Sequence, residues 1–456
     1  MQRLKELFEN RRILIAGFGR EGRSSYRTIR RLLPNQQLGI ADKNADLACD
    51  ESLKNDPHIS LHLGPEYLTQ AGQYDLILKS PGIPTFDFEG IVTNLSTISS
   101  QTDVFLQLFG HQTVGITGTK GKSTTTNLIY NVLSAHNPNV IMAGNMGIPL
   151  FDIINQINDS TTVVIELSSH QLENVHTSPH IAVLLNLFQE HLDHYHSYED
   201  YQLAKMNIAK FQSEKDIFIY CKDNELINNN LATVSPKSIL LPYSLRRLDN
   251  GCCPENEWLT IKPYGTRIYN TSSERHLLGN HNLLNIMATF LTAHCHGIPD
   301  EQTAYVVNHF KGLEHRMEFV VEKNGIRFYN DSISTIPEAC IAASEALKNV
   351  DTLILGGFDR GIDYTELAHY LEKSRIHNLV FVGKAGNRIA QLLDKQSLET
   401  RNTLFSNSYP EIIDWCFGHT AQGKICLLSP AASSYDQFKN FEERGRAFKN
   451  LILEHQ

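Results

Sequence analysis

The chain has 456 residues, of which 41% are hydrophobic, and 41 basic against 50 acidic residues give a formal net charge of −9. This length predicts about three domains. The acidic balance argues against a dedicated nucleic-acid binder, because such proteins usually carry a basic stripe. Eight scattered cysteines without a CxxC pair favour reduced thiols. We find no apolar run near the roughly 18 residues of a membrane span and no signal-peptide pattern, so we expect a cytoplasmic protein.

Short apolar runs alternate with helical patterns in three successive sets. This alternation predicts an α/β fold of three domains, each built on a largely parallel sheet. We predict a Rossmann-like domain at 1–108, a central P-loop domain at 109–312 and a second Rossmann-like domain at 313–456. The stretch at 222–276 is polar and turn-rich, with strand-like pieces such as 258–262, and we interpret it as a small insertion in the central domain. The predicted strands are 12–17, 38–42, 74–80, 113–117, 162–167, 181–186, 216–220, 351–356, 378–383 and 424–429.

The first glycine loop reads GFGREG at 17–22 and directly follows a predicted strand. Asp42 ends the next strand, about 20 residues further on, as in a dinucleotide-binding fingerprint. Glycines there let the backbone approach a pyrophosphate at a helix start. The motif fits a nicotinamide cofactor or another nucleotide such as a UDP-sugar. Ser80 follows a later strand of the same domain and is expected to line the same crevice.

A second glycine loop reads GITGTKGKST at 115–124, between a predicted strand and a predicted helix at 122–135. This context is typical of a P-loop, in which backbone N–H groups surround phosphates. Lys122 supplies a positive charge, and Ser123 supplies a hydroxyl for Mg²⁺. Five residues, instead of the common four, separate Gly115 from Gly121, so the loop is a variant. It predicts an ATP-using enzyme.

Two further residues are candidates for the same site. Glu166 ends a strand of the P-loop sheet, where a carboxylate can hold Mg²⁺ directly or through water, or can be an ordinary strand-end acid. Lys205 lies in a predicted helix at 198–211 and shares one face with Tyr201 and Ile208. It is either a snorkelling lysine or a buried amine with a depressed pKa, which could react with CO₂ to form a carbamate.

In chain order these motifs resemble the Mur ligase family, the amide-bond ligases of peptidoglycan synthesis, over essentially the whole chain. The resemblance also rests on SPGIP at 80–84, GNMG at 144–147, IELSSHQLE at 165–173, EHLDHY at 190–195, YQLAK at 201–205, NHNLLN at 280–285, GLEHRMEF at 312–319, NDS at 330–332 and LLSPAASSYDQFKNFEERG at 427–445. The last motif is long and is typical of the glutamate-adding branch.

The resemblance implies an ADP-forming ligase that uses ATP and Mg²⁺ in cell-wall synthesis, and hence in cell shape and division. Its substrates would be UDP-N-acetylmuramoyl-L-alanine and D-glutamate, joined through an acyl phosphate. A variant that adds L-glutamate stays open. A monomer without nucleic-acid or membrane partners is expected. Two other classes, an NAD-dependent oxidoreductase and a non-catalytic nucleotide-regulated binding protein, are weaker alternatives, and the oxidoreductase leaves the GKST sequence unexplained.

The resemblance also implies roles for individual residues. The implied catalytic residues are Lys122, Lys205, His191 and Arg316. The implied ATP-binding residues are Gly118, Thr119, Lys120, Gly121, Lys122, Ser123, Thr124, Asn282, Asn285, Arg316 and Asp331. The implied Mg²⁺ ligands are Ser123, Glu166, His191 and a carbamylated Lys205. The implied substrate-binding residues are Gly17, Gly19, Gly22, Asp42, Ser80 and Asn145 for the UDP-muramoyl part, and Thr335, Arg360, Ser434, Tyr435 and Phe441 for glutamate.

The chain departs from the usual family pattern in two regions. Near the glutamate pocket it has Ile333, Ser334 and Thr335 where many members have Lys-Ala-Thr, Arg360 where many have lysine, and Tyr435 in place of a usual leucine. Near the uracil and diphosphate contacts, the residues that differ are Arg20, Glu21, Lys43 and Asn44. The first group bears on the choice between D- and L-glutamate.

Overall fold

The computed structural model of the protein describes residues 1–145, 147–190, 194–277 and 279–455. Its strands form three sheets of five, nine and six strands. The chain divides into two compact units, Met1–Phe310 and Lys311–Gln456, and the first unit contains two of the sheets. The predicted α/β fold with three largely parallel sheets is confirmed, whereas the three-domain division at 108 and 312 stays a prediction.

The first sheet has the order β3-β2-β1-β4-β5, and all its strand pairs are parallel. Because β1 lies between β2 and β4, the strand order reverses at its carboxyl end, where α/β sheets bind ligands. The strands are β1 Ile13–Ala16, β2 Leu38–Asp42, β3 Ile59–Leu63, β4 Leu76–Lys79 and β5 Ile98–Ser99, and the helices are α1 Gln2–Phe8, α2 Arg20–Leu32, α3 Glu51–Lys54 and α4 Gln101–Phe109.

The second sheet has the order β14-β13-β12-β11-β10-β9-β6-β8-β7, which puts the P-loop strand β6 between β9 and β8. Its strands are β6 Thr113–Thr117, β7 Val140–Gly144, β8 Thr162–Glu166, β9 Ile181–Leu184, β10 Ile217–Cys221, β11 Ile239–Tyr243, β12 Gly251–Glu255, β13 Trp258–Lys262 and β14 Thr266–Asn270. Its helices are α5 Lys122–His136, α6 Leu150–Ile153, α7 Ser169–Leu172, α8 Tyr198–Lys210, α9 Glu225–Val234, α10 Asn280–Cys295 and α11 Asp300–His309.

The polar stretch at 222–276 contains strands, and β13 covers the residues 258–262 that look strand-like in the sequence. It contributes β11 through β14, which extend the second sheet, with β12, β13 and β14 paired antiparallel. One continuous apolar core, from Leu4 to Val307, contains residues packed on both sheets of the first unit. Across the described ranges, no helix combines the length and the apolar character needed to cross a membrane.

The sheet of the second unit has the order β15-β16-β20-β17-β18-β19, with only β15 and β16 antiparallel. Its strands are β15 Glu318–Lys323, β16 Ile326–Asn330, β17 Val350–Gly356, β18 Asn378–Val382, β19 Asn402–Phe405 and β20 Ile425–Leu428. Its helices are α12 Pro337–Ala346, α13 Thr365–Lys373, α14 Gly383–Leu392, α15 Lys395–Glu399, α16 Tyr409–His419 and α17 Phe441–Glu454.

Candidate active site

The P-loop connects the buried strand β6 to α5, which begins at Lys122 as predicted. Gly121 has φ +85°, and a Cβ atom on it would lie 2.9 Å from Asn285 Oδ1, so both the backbone conformation and the available space favour glycine. The backbone N–H groups of Thr119 and Lys120 donate to the carbonyl and side-chain oxygens of Asn186, at 3.0 and 2.8 Å. The loop is therefore fixed to the end of β9, with the start of α5 available to an anion.

Lys122 folds back over its own loop. Its Nζ donates to the carbonyl oxygens of Gly118 and Thr119, each at 2.9 Å. Ser123 and Thr124, in the first turn of α5, are half-buried. These contacts keep a positive charge at the loop, beside two residues predicted to bind nucleotide and metal.

Lys205 lies inside the protein, so the snorkelling alternative is wrong. The predicted shared face of α8 is confirmed, because Tyr201, Lys205 and Ile208 are 0%, 2% and 0% exposed. Lys205 Nζ donates to the Gly118 carbonyl oxygen at 3.0 Å and lies 5.2 Å from the centroid of the Tyr201 ring. Burial lowers the Lys205 pKa well below its ordinary value, and the charge of Lys122 adds to this shift. A neutral amine is thus favoured.

Glu166 lies at the end of β8. One of its carboxylate oxygens accepts a hydrogen bond, and the other has no donor within the described ranges. The carboxylate is 2% exposed, and its Oε1 accepts a hydrogen bond from Asn145 Nδ2 at 2.9 Å. Its Oε2 is buried and has no hydrogen-bond partner within the described ranges. A buried acceptor in this state is unfavourable unless a donor or a cation meets it. Glu166 therefore fits a divalent cation, whereas His191, also predicted as a metal ligand, lies outside the described residues.

A cavity of about 450 Å³ adjoins the P-loop. Asn285, from α10, lies in its wall, and its Nδ2 donates to Asn282 Oδ1 at 3.3 Å, so both predicted adenine-side residues lie together. Of the twelve described lining residues, five lie in the motifs GITGTKGKST and NHNLLN, two lie in the predicted strand 181–186, and sequence reasoning missed the other five, which no motif marks. The lining residues are Lys120, Gly121, Leu185, Asn186, Phe188, Cys221, Asp223, Asn224, Tyr243, His281, Leu284 and Asn285.

The first glycine loop brings Gly17, Ser80 and Asp42 together, as the fingerprint predicts. Gly17 has φ +87°, and a Cβ atom on it would lie 2.7 Å from Ser80 Oγ, which donates to the Gly17 carbonyl oxygen at 2.9 Å. Both Asp42 oxygens accept backbone hydrogen bonds, from Phe18 N at 2.6 Å and from Asn44 N at 2.8 Å. Asp42 therefore supports the loop itself. Gly19 and Gly22 lie in the same turn, at the start of α2.

A second cavity, of about 160 Å³, lies between this loop and the loop after β7. We call it the cleft; it is lined by Arg20, Glu21, Pro81, Gly144, Asn145, Gly147, Pro149 and Gln171. Asn145, the predicted muramoyl contact, is exposed here while its amide holds Glu166. One lining residue of the cleft, Asn145, thus contacts the carboxylate at the end of β8.

In the second unit, Arg316 is close enough to Asp331 for its positive charge to lower the pKa of the aspartate. Asp331 is 2% exposed, and burial raises its pKa to about 6. Its Oδ1 accepts from Met317 N at 3.1 Å and its Oδ2 from Ser429 Oγ at 2.7 Å. Arg316 itself is exposed. The two predicted nucleotide contacts therefore share one region of this unit.

Among the predicted glutamate contacts, Arg360 Nη2 donates to the Thr335 carbonyl oxygen at 3.2 Å. Ser434 is buried, whereas Tyr435 is 66% exposed, with its ring 6.5 Å from that of Phe358. The carbonyl oxygen of Phe441 accepts from Ser332 Oγ at 2.8 Å.

Sequence reasoning missed Arg444, which ties these loops together. It is 1% exposed and donates to the Ser332 carbonyl oxygen at 2.8 Å, to Ser332 Oγ at 2.9 Å and to the Ala432 carbonyl oxygen at 3.1 Å. The signal was its place in the final motif, one helical turn after Phe441.

Comparison with known proteins agrees with this arrangement. Two family models match the chain, the Mur ligase middle domain at residues 116–293 and the Mur ligase, glutamate ligase domain at residues 315–432. The UDP-N-acetylmuramoylalanine--D-glutamate ligase of Clostridium botulinum strain Langeland is 33% identical over 399 residues, which is 86% of each chain. This chain belongs to the Mur ligase family. The predicted resemblance is confirmed, and family membership argues against the oxidoreductase alternative.

Other Mur ligases extend the comparison. The enzyme of the same name from Ruminiclostridium cellulolyticum is 31% identical, over 99% of this chain and 98% of its own. The solved structure of UDP-N-acetylmuramate-alanine ligase MurC from Thermotoga maritima matches with a TM-score of 0.56 at 17% identity, over 98% and 100% of the two chains. MurF ligase from Thermotoga maritima, solved in complex with ADP, matches with a TM-score of 0.55 at 16% identity, over 98% and 97%. The two structures share the fold with this chain.

Proposed function

We propose that this Mur ligase joins D-glutamate to UDP-N-acetylmuramoyl-L-alanine and converts ATP to ADP and phosphate. The observation that carries the proposal is the cluster at Gly118, where Lys122 and buried Lys205 share one carbonyl oxygen of the P-loop. The strand before this loop, β6, pairs with β8, which ends at Glu166. Two relatives of nearly matching length bear the name of the D-glutamate ligase. The ADP bound to the structurally similar MurF supports ATP as the energy source.

The nucleotide would bind with its phosphates on the P-loop. The amides at the start of α5 and the loop residues from Gly118 to Thr124 supply N–H donors and the positive end of the helix dipole. Lys122 adds a full positive charge, which its two carbonyl contacts keep at the loop. Asn282 and Asn285 would contact the adenine side from α10. Lys120, Gly121 and Asn285 line the 450 Å³ cavity, which supports these roles.

Mg²⁺ fits the donors present. Glu166 Oε2 is a buried acceptor without a donor within the described ranges, and oxygen is the ligand that Mg²⁺ prefers. Glu166, Ser123, His191 and carbamylated Lys205 would hold the ion. When bound, Mg²⁺ offsets negative charge on the transferring phosphoryl group. Asn145 contributes by fixing Glu166 Oε1, which leaves Oε2 for the ion.

The carbamate at Lys205 is part of this proposal. A neutral amine attacks CO₂, a bond forms between Nζ and carbon, and one N–H proton leaves to water, which gives a carbamate with one negative charge. Burial and Lys122 favour the neutral amine that this step needs, although Glu190 and Glu166 oppose the shift. Lys122 would then face an anion, so its charge would favour the product as well.

Amide formation follows from the chemistry of the substrates. A carboxylate is a poor acyl donor, so transfer of the γ-phosphoryl group of ATP to it makes an acyl phosphate. The amine of glutamate attacks this carbonyl carbon, a tetrahedral intermediate forms, and phosphate leaves. Roles for Arg316 and Asp331 toward nucleotide stay predictions, as do those of Thr335, Arg360, Ser434, Tyr435 and Phe441 toward glutamate. A cytoplasmic monomer that binds neither nucleic acid nor membranes also stays our prediction.

The test supplies the protein with ATP, Mg²⁺, UDP-N-acetylmuramoyl-L-alanine and either D- or L-glutamate, and measures phosphate release. We expect release with D-glutamate that depends on all four components. Faster release with L-glutamate would assign the chain to the L-glutamate-adding variant. An absence of release with both enantiomers would remove the ligase proposal.

A further inference from the structure

The buried residue Tyr201, in the first turn of α8, contacts two parts of the candidate active site. Its ring packs against the rings of Tyr195 and Tyr198. Its phenol oxygen lies 2.8 Å from Thr119 Oγ1 of the P-loop. The centroid of its ring lies 5.2 Å from Nζ of Lys205, one helical turn further along α8. One side chain therefore joins the P-loop to the helix that carries Lys205.

The hydroxyl of Thr119 has a further partner in addition to the phenol. Its Oγ1 accepts a hydrogen bond from Phe188 N at 2.9 Å and donates to the Phe188 carbonyl oxygen at 3.3 Å. A hydroxyl has one hydrogen and two lone pairs, so the remaining lone pair can accept from the phenol of Tyr201. Burial raises the pKa of Tyr201 to about 12, while the hydrogen bond to Thr119 opposes this shift. At neutral pH the phenol is therefore protonated and can donate.

The peptide unit between Gly118 and Thr119 carries an oxygen that holds both lysines of the site. The Gly118 carbonyl oxygen accepts from Lys122 Nζ at 2.9 Å and from Lys205 Nζ at 3.0 Å. The next carbonyl oxygen, that of Thr119, also accepts from Lys122 at 2.9 Å. A rotation of this peptide unit would turn the Gly118 oxygen away from both amines. Because the hydrogen bond to Tyr201 fixes the side chain of Thr119, it limits such a rotation.

We propose that Tyr201 is a positioning residue for phosphoryl transfer: its hydroxyl fixes Thr119, and through Thr119 it fixes the loop carbonyl oxygens that orient Lys122 and Lys205. This inference rests on the proposed function, because it takes transfer of the γ-phosphoryl group of ATP as the step that needs both lysines in place. Tyr201 acts through the P-loop, since its hydroxyl is engaged by Thr119.

The first test measures amide hydrogen exchange of the ligand-free protein by mass spectrometry, at residues 118–121. Tyr201→Phe removes only the hydroxyl and keeps the ring beside Lys205. We expect these amides to exchange about tenfold faster in Tyr201→Phe than in the wild type, because one anchor of the loop is lost. An unchanged exchange rate would overturn the anchoring contact.

Tyr198→Phe is the matched control for this exchange experiment. It removes a phenol oxygen from the same turn of α8, but Tyr198 is only partly buried, and the described residues give its oxygen no hydrogen bond. We therefore expect wild-type exchange at residues 118–121 in this variant.

The second test measures kcat and KM of phosphate release in a double-mutant cycle of Tyr201→Phe and Thr119→Val. We expect Tyr201→Phe to lower kcat about tenfold and to change the KM for the UDP-muramoyl substrate and for glutamate less than about twofold, because the orientation of the lysines is lost. In the Thr119→Val background the hydroxyl contact is already absent, so Tyr201→Phe should lower kcat less than about twofold. In the Thr119→Ser background, which keeps a hydroxyl, the full loss should return.

The combined outcomes separate this inference from the proposed function. Equal losses of kcat from Tyr201→Phe in the wild-type and Thr119→Val backgrounds would overturn the inference, because the phenol would then not act through Thr119. Faster exchange with an unchanged kcat would overturn it as well, since the contact would have no part in the reaction. An absence of phosphate release in the wild type would remove the proposed function, and the exchange rates would then decide the anchoring role of Tyr201 by themselves.

Discussion

Lys205 in the first compact unit and Asp331 in the second are both buried ionisable side chains, and their hydrogen-bonding groups are satisfied to different degrees. Asp331 in the second unit receives a hydrogen bond on each oxygen, from Met317 N and from Ser429 Oγ. Lys205 in the first unit can donate three hydrogen bonds and, within the described ranges, makes one, to the Gly118 carbonyl oxygen. Burial favours the neutral form of both side chains. It lowers the pKa of Lys205 and raises the pKa of Asp331 to about 6.

This difference fits the reaction with CO₂ that we propose for Lys205. A carboxyl group with donors on both oxygens is stabilised in place and fixes the loops around it. A buried amine with one hydrogen bond and a cationic neighbour is destabilised as an ammonium ion, which lowers its pKa. The same physical cause, burial, therefore has different consequences in the two units because the number of hydrogen-bond partners differs.

The largest expected effect belongs to Lys205→Met, which keeps the volume of the side chain and removes the amine. We expect kcat to fall by about 10²–10³-fold, as for the loss of one group that stabilises charge in a transition state. Tm should not fall by more than a few degrees, because a poorly satisfied buried amine is lost as well. Lys210→Met, on the same helix but exposed, is the matched control. Full activity in Lys205→Met would contradict the contrast between the two units.

Glu166→Gln is expected to lower activity by about 10²-fold. The glutamine oxygen can still accept from Asn145, but the buried Oε2 that fits Mg²⁺ becomes an NH₂ group. We also expect the Mg²⁺ concentration at half-maximal activity to rise about tenfold, since a charged ligand is lost. A Mg²⁺ titration of phosphate release checks this. Glu199→Gln, exposed in the first turn of α8, should behave as the wild type; an unshifted Mg²⁺ response in Glu166→Gln would show that Glu166 binds no metal.

We expect Asp331→Asn to have the smallest effect of the three substitutions. It changes Tm by an amount that depends on pH. Because the folded-state pKa of about 6 lies above the ordinary 3.8, the folded chain holds the proton more tightly than the unfolded chain. The stabilising contribution of Asp331 is therefore present below pH 3.8 and is lost as pH rises through 6. Asparagine lacks this titration, so its Tm relative to the wild type should increase by a few degrees between pH 4 and pH 7.

Differential scanning calorimetry at both pH values measures this shift. Asp394→Asn keeps a residue that can cap α15 and is the control variant for replacing an aspartate of this unit with asparagine. A constant difference between Asp331→Asn and the wild type would show that Asp331 is ionised in the same way in the folded and unfolded chains.

Every predicted strand is present, because each was a run buried on both faces, such as Thr113–Thr117 and Val350–Gly356. Strands at sheet edges were not predicted. Ile59–Leu63 and Asn402–Phe405 are partly exposed, so their sequences lack a continuous apolar run. Of the antiparallel strands after β11, the sequence indicated β13, at 258–262, but not β12 or β14, which lie in the polar stretch at 222–276.

The sequence by itself determined the α/β class, the family, and the positions of Lys122, Glu166 and Lys205, because glycine spacing, strand burial and helix periodicity are local properties of the chain. Only the tertiary structure decided that Lys122 and Lys205 meet at one carbonyl oxygen and that one oxygen of Glu166 has no donor among the described residues. It also decided that Arg20 and Glu21 line a cleft with Asn145. Those facts depend on segments that are far apart in the chain, and burial and hydrogen bonding are fixed only when the segments pack together.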